Sequence, residues 1–466
     1  MPRQRWPGAG RAPVASSGAR PGLDRGFAGF ALVSTQSQQP PHHHLAGVGA
    51  GPANLSLAAL GEHVVPGGVA LYDRRQGPAW HPQLMHPGVR LQTSWIKDLA
   101  TLVDPCNRLT FLSYLVSTGR IYAFITAQFS EVPRLEYARY LAWASERLGV
   151  VRYGVDVDEI DFDGDRFLLR SRGCPVASSE HLVLGLGTEP RVPACFAGSD
   201  PGLLDGALLD GVLLAEDLDG HLSANPPPRH EQVIVVGGGQ TGAECVLSLL
   251  DRGYRDIRWL GRRHWFAPLD DSPSANDFYR PMYLRFFHGL SGETRQRYVA
   301  EEMLTTDGIA MSTLQRLYQA NYEFFLREGR APVMMLPGRN VLGAANRDAT
   351  VTLWCQRDAG GRERHTARHV VLATGRQPSP LPFAERLTEL MDLDEHGEPV
   401  IEQDYSVRWK HGPEHRIFLQ NRGRLSHGVV DPNLSLLSVR SAMILNSLCE
   451  REVFTIRDEL VNTLWA

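Results

Sequence analysis

Two stretches of this chain share one arrangement of apolar and polar positions, and together they predict its fold. In each stretch a short apolar run reads as a buried strand, a glycine-rich turn follows, and a second apolar run reads as a helix. The first spans residues 44–60 and the second spans residues 232–250. A strand, a glycine turn and a helix in this order are typical of a dinucleotide-binding unit, because the helix N-terminus offers free N–H groups to a pyrophosphate.

The first turn carries Gly49 and Gly51 but has Asn54 where the dinucleotide fingerprint prefers a third glycine. The next predicted strand ends at Asp73, about twenty residues on, where an acid can hydrogen-bond a ribose diol. A tight strand-to-helix turn without a ligand is the alternative, and an acid at the expected distance argues against it. We therefore predict that this unit binds a dinucleotide.

The second turn is complete, with Gly237, Gly239 and Gly242 between a predicted strand and a predicted helix. The strand that follows ends in Arg262 and Arg263, where a site specific for NAD would have an acid. Two guanidinium groups favour the 2′-phosphate of NADPH. The alternative is that both arginines lie at a solvated strand end.

The rest of the chain completes the prediction of an α/β fold. Residues 80–105 form a loop-rich stretch, residues 108–127 and 133–148 read as helices, and strands are expected at 151–161, 166–171 and 181–193. The stretch 369–380 returns the chain to the first domain, and its turn places Thr374 and Gly375 against a bound nucleotide. A strand, a His-Gly loop and a long helix are expected in 415–448.

Two Rossmann-like domains follow from this order, with the NADPH domain inserted into the first one and a small substrate-binding region beside them. The expected boundaries are 45–225 and 346–466 for the two parts of the first domain and 226–345 for the insertion. Residues 1–44 are rich in Gly, Pro, Ser, Gln and Arg, so we expect a disordered extension. The histidines at 42–44 are interpreted as part of this linker rather than as metal ligands.

Composition excludes several functional classes. The chain has 466 residues, 43% of them hydrophobic, and a net charge of −4, which gives no attraction to nucleic acid or to an anionic membrane. No apolar run approaches the roughly 18 residues of a membrane helix. The six cysteines show neither a CxxC pair nor a zinc spacing, which predicts a cytoplasmic protein without metal and excludes a dithiol reductase.

Two facing dinucleotides indicate a reaction class. NADPH in the inserted domain would pass a hydride to a flavin in the first domain, and the flavin would then reduce an acceptor. Without a dithiol, the leading acceptors are oxygen and a diffusible molecule. The residues alone leave that choice open.

The chain also resembles a known family, the flavin-dependent N-hydroxylating monooxygenases of siderophore biosynthesis, which act on lysine, ornithine or diamines. The resemblance covers residues 45–448. It is carried by the stretches GAGPANLSLAAL, WHPQLM, LQTSWIKDLATLVDP, VVGGGQTGAE, DDSPSANDF, NYEFF, LATGR and HGVVDPNLSLLS. Among its members, the alcaligin-type putrescine hydroxylases are similar as well.

This resemblance implies FAD and NADPH as cofactors, a small primary amine and O2 as substrates, and a homo-oligomer, either a tetramer or a dimer. It implies that oxygen adds to reduced flavin to give a C4a-hydroperoxide, which the neutral substrate amine attacks to become a hydroxylamine. A dry, closed pocket would protect the peroxide and lower the pKa of the amine. Putrescine or a similar diamine is the first expected substrate, followed by L-ornithine and L-lysine.

The resemblance also assigns residues. Gln92 and Asn321 receive catalytic positions, and the substrate set is Lys97, Asn276, Asn321 and Ser435. The flavin set is Gly49, Gly51, Asn54, Asp73, Trp80, His81, Leu91, Gln92 and Ser435. The NADPH set is Gly237, Gly239, Gln240, Thr241, Gly242 and Arg262, with Thr374 and Gly375 beside a nucleotide.

Plainer interpretations stay open for some of these residues. Lys97 could pair with Asp98 or Asp104 at the surface, Asn276 and Asn321 could cap helices, and Trp80 could be core packing. The sequence ATGR departs from the family's usual Ala-Thr-Gly-Tyr, so Arg376 could alter a cofactor contact. The rival functions are an NADPH oxidase or flavin reductase without an organic substrate, and a non-catalytic FAD-binding protein.

Overall fold

A computed structural model describes residues 40–197 and 208–465 of the chain. Most of the predicted N-terminal extension, residues 1–39, lies outside the described residues. The histidines at 42–44 do not: they begin the first strand, β1 (His42–Val48), which corrects their interpretation as linker. Apolar positions from Leu45 onward hold this strand in the core, and its pairing with neighbouring strands extends back to His42.

The first sheet has seven strands, in the order β3-β2-β1-β6-β5-β4, with β17 pairing the end of β6. Strands β1, β2, β3, β6 and β17 run parallel, whereas β4 and β5 join as an antiparallel meander. Its elements up to the first crossing are β1, α1 (Pro52–Gly61), β2 (Val69–Asp73), α2 (Phe111–Ser117), α3 (Ile121–Thr126), α4 (Arg134–Leu148), β3 (Val151–Tyr153), β4 (Glu159–Phe162), β5 (Phe167–Ser171) and β6 (Cys174–Leu184).

The second sheet has five parallel strands, in the order β11-β10-β9-β15-β8. Its elements are β8 (Val212–Leu214), α5 (Leu218–Ala224), β9 (Val233–Val236), α6 (Gln240–Asp251), β10 (Ile257–Gly261), α7 (Pro273–Asn276), α8 (Pro281–His288), α9 (Gly292–Glu301), α10 (Leu304–Asp307), α11 (Met311–Glu328), β11 (Val333–Pro337) and β15 (His369–Leu372). A three-stranded antiparallel sheet, β12 (Arg339–Arg347), β13 (Thr350–Arg357) and β14 (Arg362–Ala367), packs beside it.

A two-stranded antiparallel ribbon connects the two sheets. It pairs β7 (Thr188–Pro190), where the chain leaves the first domain, with β16 (Arg376–Pro378), where the chain returns. The closing elements are α12 (Glu385–Thr388), β17 (Ile417–Leu419), α13 (Arg424–His427) and α14 (Leu437–Leu448). Helices α1, α4 and α14 share one apolar core on the first sheet.

This architecture confirms the predicted fold class of two Rossmann-like domains, one inserted into the other. The inserted sheet is wider than the predicted boundaries of 226–345, because β15 pairs with β9 and β8 pairs with β15 at the edge of this sheet. Both strands are short and apolar, and their place in the sheet depends on pairing with residues far along the chain. No helix among the described residues is long and apolar enough to cross a membrane.

Candidate active site

The first glycine loop lies at the carboxyl end of β1, where the strand order reverses between β2 and β6. Such switch points are the usual binding crevices of open α/β sheets. Gly49 has a φ of 91°, and a Cβ there would stand 2.4 Å from the carbonyl oxygen of Gly185. Gly51 is the N-cap of α1, makes no side-chain cap and has open space where a Cβ would be. The loop therefore fits a pyrophosphate at the start of α1.

Asn54 shapes this loop from beneath and is completely buried. Its amide nitrogen donates to the carbonyl oxygens of Val48 (3.0 Å) and Gly49 (2.7 Å), and its amide oxygen accepts from Gln420 Nε2 at 2.7 Å. The room for this side chain comes from Gly185, because a Cβ at position 185 would lie 2.8 Å from the Asn54 amide. Asn54 therefore stabilises the loop through hydrogen bonds to its backbone, a role that a glycine at this position could not fill.

Asp73 ends β2 beside the same loop and is 4% exposed. One carboxylate oxygen accepts the N–H of Ala50 at 2.7 Å, and the other accepts the N–H of Arg75 at 2.8 Å. The acid is therefore at the predicted edge of the sheet. In the structure it holds the glycine loop in place.

The second glycine loop occupies the equivalent place, at the carboxyl end of β9 between β10 and β15. Gly237 has a φ of 132°, and a Cβ there would be 1.9 Å from the carbonyl oxygen of Ala373. A Cβ on Gly242 would be 2.0 Å from the carbonyl oxygen of Gly237. Gly239, the N-cap of α6, has nothing within 4 Å of its Cβ position, so this side of the loop is open to a ligand.

Gln240 and Thr241 start α6. The Gln240 amide is engaged by the protein: its nitrogen donates to Glu244 Oε1 at 2.8 Å, and its oxygen accepts the N–H of Ala310 at 2.9 Å. Thr241 lines a small cavity together with Thr374 and Gly375. The predicted nucleotide turn therefore does lie against the second glycine loop.

Arg262 follows β10 and is exposed, and it makes no ion pair among the described residues. Arg263 instead points inward, where its guanidinium contacts Met303 Sδ at 3.2 Å. Of the two predicted arginines, Arg262 is the one whose guanidinium makes no ion pair or hydrogen bond among the described residues.

Arg376, the departure from the family pattern, belongs to the ribbon that joins the sheets. Its guanidinium donates to Thr188 Oγ1 (2.8 Å) and to the Thr188 carbonyl oxygen (2.6 Å), and it pairs with Glu216 Oε2 at 2.6 Å. These contacts fasten β16 to β7 and to the segment after β8. The side chain therefore joins the ribbon to the inserted domain, and its effect on a cofactor contact stays a prediction.

The loop 80–105 bridges the two nucleotide loops. Gln92 Nε2 donates to the carbonyl oxygen of Gly308 at 3.1 Å and lies 3.5 Å from Gln240 Oε1. The next residue, Thr93, has its hydroxyl 3.0 Å from that of buried Ser435. The structure therefore brings Gln92 and Ser435, predicted from distant stretches, to one place between the domains.

Trp80, His81 and Leu91 line the first-domain side of this bridge. Trp80 packs edge-on against Tyr137 at 5.6 Å, and Leu91 is 5% exposed, so both belong to the core that supports the loop. His81 adopts the left-handed backbone conformation, with a φ of 45°. Burial, with nearby arginines, lowers the pKa of His81 to about 4, so its imidazole is neutral at physiological pH.

Lys97 lies on the other side of the bridge, against the ring of Tyr279. The Lys97 ammonium lies 5.1 Å from the centre of the Tyr279 ring, three residues after Asn276. Burial lowers the pKa of Lys97. Among the described residues Lys97 makes no ion pair, so the pairing with Asp98 or Asp104 considered from the sequence does not form.

Asn276 lies at the end of α7, where its amide nitrogen donates to the carbonyl oxygens of Asp271 (2.9 Å) and Ser272 (3.1 Å). Tyr279 was not singled out from the sequence. The available signal was its spacing of three after Asn276, which places both residues on one turn. Its hydroxyl donates to the carbonyl oxygen of Thr305 at 2.6 Å.

Asn321 is the predicted site residue that the structure does not bring to this place. It lies in α11, where its amide donates to the carbonyl oxygen of Val333 at 2.9 Å and accepts the Val333 N–H at 3.0 Å. Val333 pairs with Ile257 at the amino end of the sheet, whereas the glycine loop is at the carboxyl end, about 13 Å away for four residues of strand. Asn321 therefore ties α11 to β11, and this placement does not support the predicted catalytic position.

Several known proteins are similar to this chain in sequence and in architecture. A family model described as L-lysine 6-monooxygenase/L-ornithine 5-monooxygenase matches residues 41–378. The L-lysine N6-monooxygenase of Escherichia coli is 31% identical over 417 residues, which cover 88% of this chain and 95% of that protein.

Two solved structures carry the similarity to the whole fold. A cadaverine monooxygenase of desferrioxamine biosynthesis from Erwinia amylovora, bound to FAD, superposes with a TM-score of 0.81 and 26% identity, over 90% of this chain and 97% of that one. An ornithine N-hydroxylase from Kutzneria sp. 744, with reduced FAD, NADP+ and L-ornithine, gives 0.79 and 26%, over 88% and 99%. The predicted cofactor pair is confirmed by these relatives and fits both glycine loops. The chain therefore belongs to the L-lysine 6-monooxygenase/L-ornithine 5-monooxygenase family, the flavin-dependent N-hydroxylating monooxygenases.

Proposed function

We propose that this enzyme hydroxylates the terminal amine of an α-amino acid of the lysine or ornithine type, with FAD, NADPH and O2, for hydroxamate siderophore biosynthesis. The observation that carries the choice of substrate is the Lys97 ammonium. It is half-buried and has no ion-pair partner among the described residues. A desolvated cation is stabilised by an opposite charge within hydrogen-bond reach, and the carboxylate of an amino acid supplies one.

A diamine was the first expectation, and the electrostatics of the site weigh against it. The second ammonium of putrescine or cadaverine would need a carboxylate from the protein. The acid near Tyr279 is Asp307, and it is already paired with Arg424, 3.2 Å away. A second cation near Lys97 would therefore add repulsion without compensation. The cadaverine specificity of the Erwinia amylovora relative supports the diamine as the second candidate.

The chain contributes binding and water exclusion more than acid–base chemistry. Bound FAD supplies the oxygen chemistry when it is reduced by NADPH. The substrate amine has to be neutral to act as a nucleophile, although free alkylamines have a pKa near ~10. A dry pocket beside the flavin would lower the pKa of the terminal amine by desolvation, at the opposite end of the substrate from the carboxylate that Lys97 would bind.

We assign cofactor roles to the open sides of the two loops. Gly51 and α1 would hold the FAD pyrophosphate, and Gly239 and α6 would hold that of NADPH. Arg262 would meet the 2′-phosphate. Gln92, which spans the two domains, would position the nicotinamide against the flavin. The predicted homo-oligomer rests on the family resemblance alone, and the predicted cytoplasmic location rests on the scattered cysteines.

The test is hydroxylamine formed per NADPH consumed, with L-lysine, L-ornithine, cadaverine and putrescine assayed in parallel. We expect product from one of the amino acids. Product from a diamine alone would overturn the choice of substrate. Peroxide without hydroxylamine from any amine would support the oxidase instead, and no NADPH consumption would support the non-catalytic flavoprotein.

The Lys97→Met variant keeps the length and apolar stem of the side chain and removes the charge. Loss of a charged hydrogen bond of about 2 kcal/mol predicts a KM for the amino acid about 30-fold higher. Flavin reduction by NADPH alone should be unchanged. Tyr279→Phe is the matched control, because it keeps the ring beside Lys97 and should leave this KM within about threefold. An unchanged KM in Lys97→Met would remove Lys97 from substrate binding.

A further inference from the structure

The chain between β17 and α14 forms a loop, residues 423–436, that contacts both sides of the candidate site. Near its start, Arg424 pairs with Asp307 of α10, 3.2 Å away in the inserted domain. Near its end, the hydroxyl of Ser435 lies 3.0 Å from that of Thr93, on the bridge between the two glycine loops. The 423–436 loop therefore touches the inserted domain and the bridge at the same time.

One carboxylate, that of Asp431, ties the two ends of this loop together. Its Oδ2 accepts the backbone N–H of Gly423 at 2.6 Å, and its Oδ1 accepts from Nη1 of Arg440, near the start of α14, at 2.8 Å. The same Nη1 also donates to the Asp431 carbonyl oxygen at 2.5 Å. A Cβ at position 423 would lie 3.1 Å from the Asp431 carboxylate, so the close approach is made at a glycine. A single side chain thus fixes the start of the loop to the start of α14.

The ion pair between Asp431 and Arg440 is buried. Asp431 is 3% exposed and Arg440 is 2% exposed, and Nε and Nη2 of the guanidinium have no hydrogen-bond partner among the described residues. Burying two charges costs desolvation that their attraction repays only in part, and apolar side chains of similar size are often as stable. The pair is therefore a poor source of stability. Its directed hydrogen bonds instead select one arrangement of the loop.

We propose that Asp431 and Arg440 are positioning residues that hold Ser435 of the 423–436 loop against the bridge and close the amine pocket to water. The inference rests on the proposed function and on the predicted place of the amine beside Ser435. Without the ion pair, the end of the loop would no longer be fixed to α14. Water would then enter the pocket, and NADPH, O2 and a proton would give NADP+ and hydrogen peroxide in place of hydroxylamine.

The experiment compares the wild type with the double variant Asp431→Asn/Arg440→Met, which removes both charges at once. The asparagine oxygen can still accept the Gly423 N–H, and methionine replaces the apolar stem of the arginine, so no buried charge is left uncompensated. We expect hydroxylamine per NADPH to fall at least about threefold and the KM for the amine to rise, while flavin reduction by NADPH stays within about twofold. The Tm should change by less than about 4 °C. A merely structural pair would show the reverse, a lower Tm with unchanged coupling.

Hydrogen exchange of the FAD-loaded protein tests the loop without any amine. Amides of residues 424–436 should exchange at least about tenfold faster in the double variant, with no change in α1 or in the inserted sheet. Coupling is measured with whichever amine the wild type hydroxylates, so a wrong choice of substrate does not decide this test. Faster exchange confined to the loop supports the tie even if the proposed amino acids are not hydroxylated, and unchanged exchange overturns it.

Two further variants serve as controls. Asp404→Asn removes a carboxylate that bonds to α14 through Ser447, at the other end of the helix from Arg440, and should leave coupling and loop exchange as in the wild type. Arg440→Lys keeps the charge and one hydrogen bond to Asp431, so its coupling should lie between those of the wild type and the double variant. The proposal is overturned if the double variant keeps wild-type coupling, if exchange rises equally throughout the protein, or if Asp404→Asn loses as much coupling.

Discussion

The two glycine loops occupy equivalent positions in their sheets, but different residues give them their shape. Each loop lies at the carboxyl end of a strand that has a parallel neighbour on both sides. One neighbour follows the next helix in the chain, and the other comes from much later in the sequence. The loop after β9 keeps three glycines. The loop after β1 keeps two and places Asn54 where the third would be.

The reason for the third glycine is visible in the second loop. A Cβ at Gly242 would fall 2.0 Å from the Gly237 carbonyl oxygen and 3.0 Å from Trp259 Nε1, so helix and strand approach too closely for any side chain. In the first loop, the glycine that makes space for the contact is on the neighbouring strand segment and not on the helix. Gly185, on the chain after β6, leaves room for Asn54, which in return bonds to the loop carbonyls.

The third glycine of the fingerprint is therefore needed only where the helix and the strand loop have no space for a side chain. That space can also come from a glycine on a neighbouring segment, as Gly185 shows. A glycine missing from the motif is compensated by a glycine 131 positions later, and the asparagine gains three hydrogen bonds. Substitutions can test whether the two solutions are as different as the contacts indicate.

The largest effect is expected from Gly242→Ala. The added Cβ meets backbone that cannot move without separating α6 from β9, so we expect a loss of about 3 kcal/mol or more in the free energy of unfolding. NADPH-dependent flavin reduction should be lost. Denaturant unfolding and stopped-flow flavin absorbance measure the two effects.

Gly239→Ala is the control for that substitution, since nothing lies within 4 Å of its Cβ position. It should keep the unfolding free energy within about 1 kcal/mol while weakening NADPH binding, because the new methyl group faces the ligand side. Equal destabilisation by both substitutions would contradict the role given to Gly242.

A smaller and opposite test is Asn54→Gly, which restores the third glycine of the fingerprint. If the asparagine is scaffold, the change leaves the Gln420 amide and two loop carbonyls without their partner and costs about 2 kcal/mol. FAD should be released more readily on dilution. Gln420→Leu removes one of the same bonds and should cost less. A variant Asn54→Gly as stable as the wild type would show that the two loops are equivalent after all.

The two loops also differ in the charge that follows them, Asp73 against Arg262. Arg262→Ala should raise the KM for NADPH about 10- to 30-fold, since one exposed charged contact is lost, and should change the KM for NADH little. Arg263→Ala, whose guanidinium rests on Met303, is the control and should have a weaker effect. A similar change for both nucleotides in Arg262→Ala would exclude recognition of the 2′-phosphate.

The smallest effect concerns pH and the first domain. His81 has a pKa near 4 in the fold, against about 6.5 in an unfolded chain, so the unfolded state binds the extra proton first as pH falls. Its contribution to stability is full above pH 6.5 and is lost toward pH 4. His81→Asn, which tolerates the left-handed backbone, should reduce the loss of unfolding free energy between pH 6 and pH 5 by about 1 kcal/mol. An unchanged loss would contradict the burial of a neutral imidazole.

The local features of both domains could be predicted from short stretches because strand, turn and helix are encoded within a few residues. Gly237 follows β9 and Asp73 ends β2, as the spacing predicts. Asn321 does not lie beside the glycine loop, because its Asn-Tyr motif falls within α11, next to the amino end of the inserted sheet. The two-residue motif alone does not show which end of the sheet it will face. Only the pairing of its amide with Val333 reveals that it is structural.

The sequence by itself determined the two glycine turns, the order of domains, the family and the pair of cofactors, since these depend on local spacing and on recognisable motifs. The tertiary structure decided which sheet received β8 and β15, why Asn54 replaces a glycine, and that Lys97 lies against Tyr279 with no ion-pair partner in the described part of the chain. Each of these depends on contacts between segments more than a hundred residues apart. The local pattern of apolar and polar residues does not predict which distant segments will pair.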